Sequence, residues 1–146
     1  RNYTFVNADE IARGMATHGV PRSQIDLRAG REMLNRIRRS VSFGDDIMIE
    51  TTLSSVNWSR HLPVWRAAGY AVILYYLRLP SAEAAMARVS RRVATGGHDI
   101  PETVIRRRFS RSLKNLENVY KPIVDQWYVF DSLEDQPPVL AESWSG

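Results

Sequence analysis

Tyr70-Ala71-Val72-Ile73-Leu74-Tyr75-Tyr76-Leu77-Arg78-Leu79, closed by Pro80, is the stretch on which the fold of this chain turns. It is apolar at odd and even positions alike. Such a strand is expected in the middle of a sheet covered on both sides. Ile47-Met48-Ile49 is a second compact run of the same kind, ending at Glu50. Tyr3 to Val6 and Trp127 to Phe130 predict two further strands, and the Pro137-Pro138 tail predicts a short edge piece. Between them the apolar period lengthens to that of a helix. Asn7, with Glu10 three residues on, reads as a helix cap. Ala29, Met33, Leu34, Ile37 and Val41 then recur at helical spacing until Gly44. Trp58, Leu62 and Trp65 mark a helix delayed by Pro63 and ended by Gly69. Ser81 caps the stripe Ala82, Ala85, Met86, Val89, Val93, which Gly96-Gly97 ends. Pro101 opens a long helix with Ile105, Phe109, Leu113, Leu116 and Tyr120 inward. Strands alternating with helices predict an α/β domain: a mainly parallel sheet in three layers, helices on both faces. Its core is expected to include Val6, Ile47, Ile49, Val72, Leu74, Tyr76, Phe109 and Val129.

The chain has 146 residues, a length for one domain, with 44% hydrophobic and 25% charged residues. That balance excludes a disordered, collagen-like or coiled-coil chain, and no apolar run is long enough for a membrane span. There is no cysteine, so disulfides, thiolate metal sites and a cysteine nucleophile are excluded. A reducing, cytoplasmic compartment fits. His18, His61 and His98 lack ligand-like spacing, so no metal site is expected from histidine.

Twenty basic residues face sixteen acidic ones, and eighteen of the twenty are arginine. Residues 88–121 hold nine basic and three acidic residues, +6, which leaves −2 for the rest of the chain. Arginine's planar fork matches phosphate oxygens, so the block suggests an anionic ligand. A solvated helix face is the plainer reading. Arg88 and Arg92 share one face, as do Arg107 and Arg111 on the next helix, and the glycine turn between them makes 88–121 a candidate arginine-rich lid hairpin. His98 beside that turn is either a ligand contact or a turn cap.

Parallel α/β sheets take ligands at the carboxyl ends of their strands. Asp9, just past the first strand, and Glu50, ending the second before Thr51-Thr52, are the acids that rule selects. The alternatives are a helix-dipole role for Asp9 and a strand-ending role for Glu50. If the two strands are neighbours, both carboxylates are expected to overlook one crevice.

Three stretches in register carry a resemblance: Phe5-Val6-Asn7-Ala8-Asp9-Glu10-Ile11-Ala12, Ile49-Glu50-Thr51-Thr52-Leu53-Ser54, and Gly96-Gly97-His98-Asp99-Ile100-Pro101 with Ile105-Arg106-Arg107-Arg108. The chain resembles the bacterial zeta-toxin-like P-loop kinases, in the branch of predicted ATPases, over nearly its whole length. The resemblance implies a kinase-type sheet, ATP and magnesium (Mg2+) as cofactors, a small-molecule phosphate acceptor such as a sugar nucleotide, and an antitoxin protein as a partner. By it, Asp9 is the base that orients the acceptor hydroxyl, and Arg92 and Arg107 are catalytic lid arginines. Glu50, Thr51, Thr52, Arg88, His98 and Arg108 would hold substrate.

These kinases open with a strand and a G-x-x-x-x-G-K-[ST] phosphate loop, the Walker A motif, and this chain has none. The family strand order makes the missing strand the central one, leaving its two neighbours about 10 Å apart. Unpaired buried backbone on both sides would be costly. An upstream peptide, a strand donated by a second chain, or direct pairing of the flanking strands would each resolve this. The first is favoured, Arg1 being an unusual natural start, so the domain over 1–146 is expected to be N-terminally incomplete. The isolated chain is then expected to be inactive, and a kinase once the loop is supplied. The competing readings are a degenerate, non-catalytic nucleotide- or protein-binding member, and nucleic-acid binding through the arginine block. Few aromatics interleave those arginines, which argues against nucleic acid.

Overall fold

The computed structural model describes residues 3–16, 19–97 and 99–146, and the chain divides into two compact units, Arg1–Thr51 and Thr52–Gly146. The fold is α/β, with parallel strand pairs flanked by helices, as in the P-loop kinases.

The first unit holds β1 (Tyr3–Asn7), α1 (Ala8–Gly14), α2 (Arg22–Phe43) and β2 (Asp46–Glu50). β1 and β2 are parallel, Thr4 opposite Ile47 and Asn7 opposite Glu50. A parallel pair needs a crossover, which the two helices provide. Ile25, Ala29, Met33 and Ile37 recur every four residues along α2 and are buried, with Val6 of β1 and Ile11 and Ala12 of α1. Gly44 ends α2 at φ 72°, a left-handed backbone that glycine adopts without a Cβ clash.

The second unit runs through a 3₁₀ turn (Asn57–Arg60), α3 (Leu62–Ala67), β3 (Ile73–Arg78), α4 (Ala82–Ala94), α5 (Glu102–Asn115), β4 (Gln126–Asp131) and β5 (Val139–Ser145). β3 and β4 are parallel, and β5 adds antiparallel on the far side of β4 as the expected edge piece. Leu53, Leu116, Tyr120 and Val129 form the core, with Leu74, Tyr76, Trp127, Trp58 and Leu62 packed against it.

Two expectations are corrected. β3 begins at Ile73 rather than Tyr70, because the Val72 N–H donates to the Asp125 carboxylate at 2.7 Å instead of to a strand. β3 is also not covered on both sides: Ile73, Tyr75 and Leu77 are about half exposed, at 45, 63 and 54%. Of the expected core, Val6 and Val129 are buried, while Ile47, Ile49, Val72, Leu74, Tyr76 and Phe109 are half-buried. The cause is shared. Each of β2 and β3 has one paired neighbour, β1 and β4 respectively, and no second strand among the described residues. β1–β2 and β3–β4–β5 form two separate sheets, one in each unit.

Asp125 also accepts from Arg66 at 2.9 Å, and these contacts, the Val72 N–H first, hold its carboxyl below the usual carboxylate value. A depressed pKa stabilises the fold above the unfolded value and loses that contribution as pH falls through the folded one. Thermal midpoints read between pH 7 and pH 3 should therefore fall less steeply for Asp125→Asn, which should also start a few degrees lower at pH 7.

Candidate active site

The residues singled out from the sequence fall into two groups of polar side chains, one in each unit. In the first unit the in-phase parallel register brings β1 and β2 to an end at the same edge. Asn7 sits at that edge as the cap of α1, its Oδ1 accepting from the N–H of Asp9 at 2.8 Å and of Glu10 at 3.4 Å. Its Nδ2 donates to Glu50 Oε2 at 2.6 Å. A single amide thus ties the acid that ends β2 to the first turn of α1. The Asp9 carboxylate next to it is exposed and has no partner among the described residues. A free carboxylate can take a proton from a hydroxyl within hydrogen-bond reach. Sequence reasoning identified Asn7 as a cap and missed its hold on Glu50, which depends on a strand register that no local pattern encodes.

Thr51 follows Glu50 and is exposed; the chain then passes into the second unit. There Thr52 Oγ1 lies 2.8 Å from Ser54 Oγ. Leu53, between them, has a left-handed backbone at φ 55° with its side chain buried. That conformation costs a branched residue about 1–2 kcal/mol. It is held from below: Asn115 Nδ2 donates to the Leu53 carbonyl at 2.8 Å, and the Tyr120 hydroxyl to the Ser55 carbonyl. Asn115, Tyr120 and Leu53 therefore set the shape of the polar turn. The sequence marked Tyr120 only as an inward helix residue.

The arginines divide into tied and free. Arg88 donates to Ser132 Oγ at 2.6 Å, Arg91 pairs with Glu134, and Arg106 joins Glu83 of α4 to Glu102 of α5 at 2.7 and 2.9 Å. Arg88 is thus held by its own chain through one guanidinium nitrogen. Arg92 on α4, and Arg107, Arg108 and Arg111 on α5, are exposed, and their guanidinium groups have no partner among the described residues. Four unmatched cations in one helix–loop–helix make a strong local field for an anion. His98 lies outside the described residues.

The two glycines between the helices serve different needs. Gly96 has φ 88° and ends α4 in the left-handed conformation. Gly97 donates its N–H to the Arg92 carbonyl at 2.8 Å, and a Cβ there would sit 2.5 Å from Arg92 Cγ and 2.6 Å from that oxygen. Gly97→Ala should displace the end of α4 and cost about 1–3 kcal/mol in a urea titration, the usual range for overpacking. An unchanged midpoint would show that the contact is loose.

Comparison with protein families matches one of them, described as Zeta toxin, over residues 16–134. That stretch holds Glu50, Thr51, Thr52 and the arginines, while Asp9 precedes it. No curated protein and no solved structure matches. With the parallel pairs, the polar turn and the arginine helices in place, a match over most of the chain decides the matter: the chain belongs to the zeta toxin family.

Proposed function

We propose that this chain carries the acceptor-side and phosphate-side groups of an ATP-dependent phosphotransferase acting on a small hydroxyl-bearing molecule, completed by a strand, phosphate loop and helix from outside these residues. Membership of the family supports a kinase-like, nucleotide-binding role. One observation carries the rest. Among the described residues β3 pairs with β4 on one edge only, and its Ile73, Tyr75 and Leu77 face is about half exposed. A parallel sheet is ordinarily covered on both faces. A βα segment would supply both the missing neighbour and the missing cover.

The residues present do not fit ATP and magnesium on their own. There is no G-x-x-x-x-G-K-[ST] loop, and among the described residues no three acids or histidines are grouped to hold a metal ion. The cradle and the metal-binding hydroxyl have to come with the added segment. What this chain supplies is narrower. Asp9 accepts the proton of the acceptor hydroxyl, Glu50, Thr51 and Thr52 hold the acceptor by hydrogen bonds, and Arg92 and Arg107 neutralise negative charge. An antitoxin protein is proposed as a partner on the family alone.

The missing loop also favours a second reading, a non-catalytic member that binds nucleotide or protein. Joining a strand–phosphate-loop–helix segment to the chain separates the two. Gain of magnesium-dependent phosphoryl transfer supports the kinase; a folded, completed chain that binds nucleotide without transfer supports the alternative.

A further inference from the structure

Away from the strand edge of the first unit, the end of α1 and the middle of α2 border a shallow, open cleft of about 580 Å³, lined by Gly14, Met15, Arg28, Arg31, Glu32 and Asn35. Spacings of three and four residues put the four α2 residues on one helix face. Two other arginines of this helix are matched by acids one turn away: Arg22 pairs with Asp26, and Arg36 with Glu32, each at 2.9 Å. Arg28, although Glu32 also stands one turn from it, and Arg31 make no ion pair among the described residues. Glu32, the one acid in the wall, is already neutralised by Arg36. The cleft therefore presents two uncompensated guanidinium groups with the Asn35 amide beside them. Gly14 leaves its side open, with nothing within 4 Å of where a Cβ would stand.

We propose that this cleft binds a small molecule through a terminal phosphate or pyrophosphate group, at a site separate from the Asp9–Glu50 edge. Two arginine forks on adjacent turns match the several oxygens of such a group. A nucleic-acid backbone would present the same phosphate chemistry, but it would also engage Arg38 and Arg39. These are exposed further along α2, their guanidinium groups unpartnered among the described residues, and they lie outside the wall.

Calorimetric titration of the full chain with pyrophosphate, at about 0.15 M salt to screen loose surface attraction, tests this. Saturable binding is expected, weakened about tenfold or more by Arg28→Gln and by Arg31→Gln, as befits loss of a charge-assisted contact. Arg38→Gln and Arg39→Gln should stay within about twofold, a change too small for a lost ionic contact. In the unaltered chain the Arg28 and Arg31 Nε–H resonances should move first on titration, a readout that does not depend on any variant folding. The absence of saturable binding would overturn the proposal, as would equal losses across all four variants. So would tighter binding of a single-stranded oligonucleotide that all four arginines support.

Discussion

In a chain completed with a phosphate loop, Asp9→Asn is expected to lower the rate of phosphoryl transfer by about two to four orders of magnitude, the usual contribution of a positioned general base. Asparagine keeps the size and the place at the start of α1 but cannot take a proton. The cap of that helix is made by Asn7 to the backbone N–H of residue 9, not by the Asp9 side chain, so the fold should be unchanged. The loss should fall on kcat more than on KM. Glu50→Gln offers a useful contrast. Glu50 is held by Asn7 at 2.6 Å and is assigned to holding the acceptor, so its loss should appear mainly in KM. Similar effects on KM and kcat for both variants would remove the distinction between base and binding residue.

The second large effect is expected at the free arginines. Arg92→Ala and Arg107→Ala should each reduce transfer by about three orders of magnitude or more, the lower range for an arginine that stabilises charge in phosphoryl transfer. Both guanidinium groups lack a partner among the described residues, so removing them breaks no ion pair and should leave stability within the range of surface substitutions. Arg106→Ala separates structure from chemistry. It would break the bridge from Glu83 to Glu102, and should disturb the two helices while touching the reaction only indirectly. Arg36→Ala and Arg39→Ala, on α2, serve as charge-matched controls. If all of these variants lose activity alike, the arginines act as a general field and not as lid residues.

How far the fold was legible depended on where its information is local. The cap at Asn7, the glycine stop at Gly44, the Pro63 delay and the Ser81 cap are written in neighbouring residues, and each predicted boundary falls within a few residues of the observed one. The apolar pattern of residues 70–79 was legible too, yet its exposure was not. That pattern records a strand meant for cover on both faces, and the described residues cover one. The carboxylates at the strand ends could be picked out because the carboxyl edge of a parallel pair follows from topology. The Asn7–Glu50 contact could not, since it needs the register of strands separated by forty residues or so. The same holds for Arg88. Its helix face was predictable, but the Ser132 hydroxyl that engages it comes from the end of β4, far along the chain.

The most direct test measures magnesium-dependent phosphoryl transfer by the chain of 146 residues, its intact mass verified, alone and after addition of a strand–phosphate-loop–helix segment. The chain alone should show no turnover, because it lacks the phosphate loop that cradles the β- and γ-phosphates. The completed chain should transfer phosphate, and should lose that activity with Asp9→Asn. Robust turnover by the unaided chain, abolished by the same substitution, would contradict the account.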